Sequence, residues 1–465
     1  MNYTAPTYVP IEITSNCNLH CRHCYGKFPR KTQREMSYEQ IKQIILDMYS
    51  SGVFRFEIGG GEPSIRKDFV DILEIFGDFK GVAVTVVTNG ILYTDEMIER
   101  IAKIPNNICF HISVDGYDKE TYSFLRGNKD VFPKVMETTL KMIKKGIDVR
   151  WNFAVGKKTV DYLQATIGLA EKMGIKSIRL MLLYNTGRAT EEELGFNFQE
   201  FQEFMLNFLQ DKYASNNVNV SMALTQPFEY LIPLLEKGID INVIKEKILY
   251  RSCMDDSIFR NMTNTSCMAG RTLAAVDSEG NMHYCCMMSG EIETIGGNLL
   301  EKDFLDIWNN SPEFKWIRGI RLENLHTNCY NCKYKDICGG GCRARAYYAT
   351  GDILGPDPLC PIVSYERKEN NISEESDEDY FVPTVFSIML GNVICRVRQE
   401  TYGASVYTTN DKYFNLDQNA YRLLKLLKKF ASVQRVIEAL KGKNSEINVN
   451  IIEENYAELI HMLVS

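Results

Sequence analysis

The stretch YVPIEITSNCNLHCRHCYGKF (residues 8–28) joins an apolar, strand-like run directly to three closely spaced cysteines. Cys17, Cys21 and Cys24 form a C-x3-C-x2-C run within it. Zinc and iron–sulfur sites both usually take four protein ligands, so a run of three leaves one position open. The missing ligand is either supplied from elsewhere in the chain or left open for chemistry.

The composition is typical of a soluble protein with several domains. A chain of 465 residues exceeds one ordinary core, so we expect two to four domains. A formal charge of −7 argues against a nucleic-acid partner. The amino terminus MNYTAPTYVPIEIT lacks the basic-then-apolar layout of a signal peptide, and no apolar stretch approaches the ~20 residues that span a membrane. We therefore expect a cytoplasmic protein without a membrane partner.

The chain contains 14 cysteines, most of them in two zones at residues 17–24 and 253–360. Because disulfides are rare in a reducing cytosol, such clusters indicate metal ligands or redox groups. Cys109 and Cys395 lie apart in strand-like runs and are expected to be ordinary core residues. Cys253 is ambiguous, since it is distant from its nearest cysteine neighbour.

From residue 7 to about 185, strand-like runs alternate with amphipathic helical segments. The strand-like runs are YVPIEIT (8–14), FRFEIG (54–59), GVAVTVVT (81–88), NICFHISV (107–114), DVRWNFAV (148–155) and IKSIRLMLL (175–183). Six β-then-α units in succession predict an α/β fold with a parallel sheet, open or closed into a partial barrel. In such folds the active site lies beyond the carboxyl ends of the strands, where the cysteine triplet falls.

The pattern divides the chain into five segments. They are a barrel over residues 1–190, a mostly helical bridging region over 191–252, a loop-rich cysteine domain over 253–368, an acidic linker over 369–380 and a compact C-terminal domain over 381–465. The linker contains ENNISEESDED, a composition that favours a flexible segment. The C-terminal domain is expected to have a short β-meander with a turn at Tyr402-Gly403, followed by three helices.

With its triplet directly after the first strand, the sequence resembles the radical S-adenosylmethionine (SAM) enzymes. The resemblance implies a (β/α)6 partial TIM barrel in which Cys17, Cys21 and Cys24 are the catalytic ligands of a [4Fe-4S] cluster. The fourth iron takes the amino and carboxylate groups of SAM, so the absent cysteine is the place of the substrate. His23 stands where many members have an aromatic residue. A structural zinc site is the alternative, but the triplet lacks a nearby fourth ligand.

Segments at further strand ends agree with this family: GGGEP (59–63), TNG (88–90) and SVDG (113–116). Glycines let backbone carbonyls approach a ligand closely, and the Glu62 carboxylate can face an ammonium group. The resemblance implies SAM contacts by Gly60, Gly61, Glu62, Pro63, Asn89, Ser113 and Asp115, with looser matches at Asn152, Leu182, Leu183 and Gly187.

The second cysteine zone resembles the SPASM domain of radical SAM enzymes in its order of seven cysteines. The resemblance implies two auxiliary [4Fe-4S] clusters, and so three clusters in all. The outer cluster would be held by Cys329, Cys332, Cys338 and Cys360, and the inner one by Cys267, Cys285 and Cys342. Leu273 stands where several members have a further inner ligand, so Cys253, Cys286 or an open iron would complete that site. A zinc ribbon is the alternative, but it needs four ligands rather than seven.

The C-terminal domain resembles the small peptide-binding module of pyrroloquinoline-quinone biosynthesis, a winged-helix-like fold of three strands and three helices. Such modules bind the leader of ribosomally made peptides, and an exposed strand edge can take a peptide as an extra strand. A DNA-reading winged helix is the alternative, which the net acidity of the chain disfavours.

Together these resemblances imply a radical SAM maturase that installs cross-links, most of all Cys thioethers, in a ribosomally synthesised precursor peptide bound through its leader. SAM would be cleaved reductively to methionine and 5′-deoxyadenosine, with electrons from a one-electron reductant such as flavodoxin or ferredoxin. The alternatives are a formylglycine-generating enzyme for sulfatases, a carbon–carbon cross-linking peptide cyclase, and a non-catalytic cluster protein.

Overall fold

The computed structural model describes most of the chain, namely residues 3–32, 34–106, 108–222, 231–248, 265–325, 327–360, 362, 385–441 and 449–464. Cys253 and the acidic stretch 369–380 lie outside these residues. Within the described ranges, no helix has the length and apolar character needed to cross a membrane.

A parallel sheet forms the first half of the molecule. Its strands are β1 Tyr8–Thr14, β2 Arg55–Gly60, β3 Ala83–Thr88, β4 Ile108–Ser113, β5 Val149–Val155, β6 Ser177–Leu182 and β7 Asn219–Met222. Each strand pairs in parallel with the next in chain order. The first six coincide with the six strand-like runs, which confirms the predicted α/β partial barrel. The bridging region was expected to be mostly helical, but it also supplies β7, whose Val220 and Met222 alternate with polar residues and are buried.

Helices connect these strands and pack against one face of the sheet. They are α1 Tyr38–Ser50, α2 Phe69–Glu74, α3 Asp95–Ile101, α4 Lys119–Arg126, α5 Phe132–Lys144, α6 Val160–Met173, α7 Phe198–Leu209, α8 Leu231–Leu235 and α9 Ile241–Ile248. Helix α1 begins with a capping box between Ser37 and Gln40, which satisfies backbone donors at its start. Its buried face consists of Ile41, Ile44, Ile45 and Met48. Full burial of each such side chain contributes about 1.5–3 kcal/mol.

The strands have one face toward the helices and one toward the barrel lumen. On β4, Ile108, Phe110 and Ile112 belong to the core that the sheet shares with the helices. Side chains alternate along a strand, so His111 and Ser113 face the lumen. This alternation identifies the lumen-facing residues of every strand.

The middle segment extends the same sheet at its β1 edge. Strand β8 (Ala275–Val276) pairs in parallel with β1, and β9 (Asn281–His283) and β10 (Ile295–Asn298) follow in antiparallel pairing. Its helices are α10 Phe304–Asn310, α11 Pro312–Gly319, α12 Thr327–Tyr330, α13 Lys335–Cys338 and α14 Arg343–Thr350. The second cysteine zone is therefore built onto the strand that leads into the cysteine triplet.

The C-terminal segment has a separate four-stranded antiparallel sheet. Its strands are β11 Val385–Leu390, β12 Val393–Glu400, β13 Gly403–Thr408 and β14 Tyr413–Asp417, and its helices are α15 Gln418–Phe430, α16 Val433–Lys441 and α17 Val449–Val464. The three helices agree with the sequence pattern. The expectation of three strands was one short, because VFSIML forms β11 along the edge of β12. Cys395 is fully buried in the core of this segment, whereas Cys109 on β4 is half-buried.

Candidate active site at the carboxyl end of the barrel

The cysteine triplet lies in the loop that leaves the carboxyl end of β1. Burial raises the pKa of the Cys17 thiol to about 11, and the neighbouring Cys21 and Cys24 thiols act in the same direction. Burial also raises the pKa of Cys21, which the nearby Arg126 guanidinium opposes. Arg126 Nη1 lies 3.8 Å from Cys21 Sγ. The structure therefore brings the three thiols together, with one buried cation beside them.

This loop is held in place by Arg188, which sequence reasoning missed, and by Gly187, which was expected as a looser match for a SAM contact. Arg188 Nε donates to the carbonyl of Cys21 at 2.8 Å, and its Nη1 donates to the carbonyl of Phe28 at 2.8 Å. Gly187 packs so closely that a Cβ there would lie 2.4 Å from the carbonyl oxygen of Cys24. The contact of Gly187 is thus with the triplet loop itself, which explains why a side chain is absent at this position.

The GGGEP segment at the end of β2 is joined to the triplet loop by its backbone. Gly61 N–H donates to the Thr14 carbonyl and Glu62 N–H to the Asn16 carbonyl, both at 2.8 Å. A Cβ at Gly61 would lie 2.0 Å from the Asn16 carbonyl oxygen, whereas a Cβ at Gly59 would meet nothing within 4 Å. Gly59 therefore borders open space beside the triplet.

The buried Glu62 carboxylate ties the ends of β2 and β3 together. It accepts hydrogen bonds from Thr88 Oγ1 and Asn89 N–H, both at 2.7 Å. Burial raises the pKa of Glu62, and these donors oppose the increase. Asn89 in turn donates to Asn18 Oδ1 at 2.7 Å, within the triplet loop. Glu62 and Asn89 therefore lie at the ends of β2 and β3, and their hydrogen bonds also fix the geometry of the triplet loop. Pro63, which follows Glu62 in the chain, is buried.

The remaining expected SAM contacts lie at the ends of β4, β5 and β6. Ser113 and Asn152 are paired in register and buried, and Asn152 Oδ1 has no hydrogen-bond partner within the described part of the chain. Asp115 is fully buried and accepts from Arg126 Nε at 2.5 Å and from Ala154 N–H at 2.7 Å. Leu182 packs in the core on the helix side of the sheet. Leu183 packs instead with Leu125, Ala154, Ala189 and Leu194.

The cysteines of the second zone form two groups. The thiols of Cys360 and Cys332 lie beside Cys329, whose pKa burial raises to about 11. Cys360 and Cys329 also lie beside Cys338, whose pKa burial raises to about 12. In the other group, Cys285 has the thiols of Cys286, Cys267 and Cys342 as neighbours. Cys286 therefore lies next to the second group. It is one of the residues that the sequence analysis named as a possible fourth ligand of the inner cluster.

Asp357 connects the two groups and was not identified from the sequence. Its Oδ2 accepts from the backbone N–H of Cys342 at 2.7 Å and from Arg345 Nη2 at 2.8 Å. Cys360 N–H donates to the Asp357 carbonyl at 2.9 Å. A Cβ at Gly341 would lie 2.6 Å from Asp357 Oδ2. The glycines of CGGGC therefore allow one buried carboxylate to approach both groups of cysteines.

A second buried ion pair links the triplet loop to the second zone. Arg30, which follows the triplet, forms an ion pair with Glu12 on the lumen face of β1. Ser289 Oγ donates to Glu12 Oε1 at 2.5 Å. Burial raises the pKa of Glu12, and Arg30 opposes this. The two cysteine zones thus share one charged contact at the mouth of the barrel.

These residues fit iron–sulfur clusters and SAM by their donor chemistry. The barrel mouth contains three thiols, the open space beside Gly59 and the unpartnered Oδ1 atom of Asn152. In the described ranges, no three His, Cys, Asp or Glu side chains converge on one metal ion. Thiolates that hold a cluster bind separate irons, so they are spread more widely than the ligands of one ion.

Family comparisons agree with this geometry. Residues 11–187 match the radical SAM superfamily, and residues 267–333 match the SPASM iron-sulfur cluster-binding domain. An AdoMet-dependent heme synthase from Methanosarcina barkeri is 28% identical over 358 residues, which cover 77% of this chain and 96% of that protein. The mycofactocin maturase MftC from Mycobacterium tuberculosis is 27% identical over 358 residues, covering 77% of this chain and 83% of that protein.

Solved structures share the fold at lower identity. Streptococcus suis SuiB bound to its precursor peptide SuiA has a TM-score of 0.60 at 20% identity, covering 77% of this chain and 76% of that chain. The enzyme anSMEcpe with bound AdoMet has a TM-score of 0.56 at 18% identity, covering 76% of this chain and 90% of that chain. Both likenesses concern the arrangement of the fold.

Proposed function

We propose that this chain, an enzyme with a radical SAM domain followed by a SPASM domain, matures a ribosomally synthesised peptide by installing cross-links, most of all Cys thioethers. The open three-thiol site at the barrel mouth is the observation that supports radical chemistry. The peptide substrate is supported by MftC and SuiB, a maturase and a protein solved with its precursor peptide.

In this proposal Cys17, Cys21 and Cys24 would hold a [4Fe-4S] cluster, and SAM would bind beside it. When bound, this pair supplies a 5′-deoxyadenosyl radical that removes a hydrogen atom from a carbon of the peptide. The backbone of Gly60 and Gly61, together with Glu62, Asn89, Ser113 and Asn152, orients SAM. Asp115 holds Arg126 beside Cys21, and this cation offsets the negative charge of the thiolates.

Closing a thioether removes two hydrogens from the peptide. One leaves as the abstracted hydrogen atom, and the thiol proton and one electron must also leave as the carbon–sulfur bond forms. Auxiliary clusters would supply an acceptor for this electron, and the residues that would hold them are Cys329, Cys332, Cys338 and Cys360 for one and Cys267, Cys285 and Cys342 for the other. The first reduction of SAM uses an external donor of the flavodoxin or ferredoxin type.

The C-terminal segment is assigned the recognition of the leader. Among the described strands, β11 and β14 pair with one neighbour each, so both present a backbone edge. An extended peptide can add to such an edge by main-chain hydrogen bonds. Expression in the cytoplasm, where a reductant and a new peptide are both available, fits this role.

A second candidate is the modification of a non-peptide substrate, favoured by the heme synthase relative. That match covers nearly all of the relative but 77% of this chain. Part of this chain therefore has no counterpart there, and a segment for peptide capture accounts for such an addition. Formylglycine formation and carbon–carbon cross-linking use the same radical step and are outcomes of the test below.

The test is an anaerobic reaction of the reconstituted enzyme with SAM, a reductant and the short peptide encoded beside its gene. We expect 5′-deoxyadenosine and a peptide that has lost two hydrogens and one alkylatable thiol. Loss of two hydrogens with every thiol still free indicates a carbon–carbon link. Cleavage of SAM with no change in any cysteine-containing peptide would contradict the proposed function.

A further inference from the structure

The barrel lumen contains a cation that the described part of the chain leaves without a hydrogen-bonding or ion-pair partner. Arg179 lies on the lumen face of β6, in register with Asn152 on β5. Its Nε is buried with no hydrogen-bond partner, and no carboxylate of the described residues pairs with it. A buried donor left unpaired costs about 1–3 kcal/mol. This arrangement indicates that a ligand supplies the acceptor.

His111 is the second unpartnered group on the same wall. It lies on the lumen face of β4, is 5% exposed, and its Nδ1 has no partner among the described residues. Burial lowers the pKa of His111 well below its ordinary value, and Arg179, Arg150 and Arg55 lower it further. The imidazole is therefore neutral near pH 7 and can donate one N–H to an anion.

Two other charged groups on the lumen face, Glu57 and Arg150, each have a close partner among the described residues. Glu57 accepts a hydrogen bond from Tyr8 Oη at 2.7 Å, and Arg150 Nη2 lies 3.0 Å from Asp148 Oδ2. Glu57 is held by a phenol rather than by a cation, and Arg179 forms no ion pair with a carboxylate of the described residues.

The two groups lie at different depths of the barrel, because Arg179 is level with Asn152 and Ser113 and His111 lies deeper. His111 precedes Ser113 by two residues, and a strand rises about 3.3 Å per residue, so the imidazole lies about 7 Å below the Ser113 level. A ligand that contacts both groups would therefore extend from the level of Ser113 and Asn152 toward the interior of the barrel.

We propose that Arg179 and His111 form a carboxylate-binding subsite in the barrel lumen, which holds a carboxylate of the peptide substrate. A guanidinium with a free Nε and an adjacent neutral N–H donor match a carboxylate. The substrate class rests on the proposed function. The carboxylate is that of an acidic side chain or of a peptide carboxyl terminus, which have the same chemistry.

The test is anaerobic calorimetric titration of the SAM-loaded holoenzyme with N-acetylglycine, with N-acetylaspartic acid α-amide, and with N-acetylglycinamide as the neutral analogue. We expect one or both carboxylates to bind and the amide not to bind. The tighter carboxylate identifies the source. Arg179→Gln should weaken carboxylate binding at least tenfold, and Arg179→Lys should weaken it less.

Two controls make the result decisive. Arg100→Gln, at an exposed pair with Asp71 and Glu74 on α2, should leave carboxylate binding unchanged. The SAM affinity of Arg179→Gln should equal that of the parent.

Equal binding of amide and carboxylate would overturn the subsite, as would a loss of SAM affinity in Arg179→Gln with carboxylate binding unchanged. Carboxylate binding by an enzyme that modifies no peptide would instead remove the proposed function and leave the subsite.

A second inference concerns the opposite end of the barrel, where the C-terminal sheet is docked. Arg398 Nη1 donates to the carbonyls of Pro6 at 3.0 Å and Gly52 at 3.2 Å, in the segments that lead into β1 and β2. Arg396 Nη1 donates to the Lys80 carbonyl at 3.2 Å, and its guanidinium lies 3.9 Å from the ring centroid of Tyr49. These contacts all involve the amino ends of the barrel strands.

The docked surface contains a buried ion pair within β12, and both members of the pair also form hydrogen bonds to the barrel. Arg398 and Glu400 form an ion pair of 2.7 Å in which both side chains have no exposed surface. Glu400 also accepts from the N–H and Oγ1 of Thr4, both at 2.9 Å. Separation of the two parts would leave the ion pair intact but would remove its hydrogen-bond partners Thr4, Pro6 and Gly52, which makes separation unfavourable.

The loop between β13 and β14 reaches the lower end of the lumen. Tyr407 and Tyr413 enclose Phe54, with ring centroids 6.0 Å and 5.9 Å from it. Asp411 lies close enough to raise the pKa of Arg150, although burial of Arg150 acts in the opposite direction. The hairpin thus closes the barrel beneath the subsite described above.

We infer that the C-terminal segment is a fixed floor of the barrel rather than a module that moves on a tether. Cleavage of the full-length holoenzyme at a protease site inserted within residues 369–379 should leave both parts together on gel filtration at micromolar concentration. Arg398→Met should release the smaller part, and Arg435→Met, an exposed control on α16, should not.

Hydrogen exchange gives a second readout for a variant that folds poorly. Amides of residues 52–55 and 80–83 should stay protected in the cleaved parent and exchange faster in Arg398→Met. Separation of the cleaved parent, or unchanged association and exchange in Arg398→Met, would overturn this inference.

Discussion

The docked surface at the amino end of the barrel and the subsite in the lumen differ in how their buried arginines are paired. At the amino end, the charges of Arg398 and Glu400 meet partners from both parts of the chain. Toward the carboxyl end, Asn152 Oδ1, His111 Nδ1 and Arg179 Nε are buried without partners among the described residues. Arg396 Nε and Arg398 Nη2 at the amino end also lack partners among the described residues, so unpartnered atoms alone do not distinguish the two places. The difference is that Arg398 has an ion pair and Arg179 has none among the described residues, which separates a permanent contact from a place for a ligand.

The same comparison explains the different roles of arginines in this chain. Arg188 and Arg398 donate to backbone carbonyls and fix loops. Arg126 is held by Asp115 beside a cysteine. Arg179 has neither kind of contact within the described residues, which is why we propose that it binds a substrate carboxylate. The role of each arginine therefore follows from the acceptors around its guanidinium group rather than from the residue type.

Replacement of the cysteine triplet should produce the largest effect at the carboxyl end. Changing Cys17, Cys21 and Cys24 to Ala removes every thiol of the open site, so 5′-deoxyadenosine formation should stop. Iron bound by the second zone should remain, and the ratio of iron to protein measures this. Normal SAM cleavage by the triple variant would show that the open site lies elsewhere.

The amino end should show the largest change in stability. Arg398→Met leaves Glu400 buried without its cation, which should lower the free energy of unfolding by about 3–5 kcal/mol. Arg100→Met, at a half-exposed pair, should change it by about 0–1 kcal/mol. Denaturant titration of both variants compares the two positions, and equal losses would contradict the idea that the docked charges are interdependent.

The matching substitution in the lumen, Arg179→Met, should not lower the free energy of unfolding. Arg179→Met removes a buried donor that has no partner, so the ligand-free protein should keep its stability or gain up to about 1–3 kcal/mol. Thermal unfolding without substrate measures this. A loss comparable to that of Arg398→Met would mean that Arg179 has a structural partner.

The smallest expected effect is on how the free energy of unfolding depends on pH. Because the pKa of His111 is lowered in the folded state, the unfolded state takes up a proton first as the pH falls below about 6.5. The stability present above that pH is therefore lost on acidification, with a slope of at most about 1.4 kcal/mol per pH unit. His111→Asn should have a shallower slope between pH 6.5 and 5. Identical slopes would place His111 in a solvated environment.

The sequence predicts those features that depend on local pattern. Six strands, their helices and the two cysteine zones follow from the spacing of apolar residues and cysteines. It does not predict β7 and β11, which are short edge strands defined by their neighbours. Nor does it predict Arg188, Asp357 or the docking of Arg398, because these contacts join residues far apart in the chain.

The central claim is that the carboxyl end holds a cluster with an iron open to SAM. Electron paramagnetic resonance of the reduced holoenzyme, recorded with and without SAM, tests it most directly. We expect SAM to change the signal in the parent and in a variant with Cys329, Cys332 and Cys338 replaced by Ala, and to change nothing in the triplet variant. A SAM-dependent change that persists without Cys17, Cys21 and Cys24 would contradict the account.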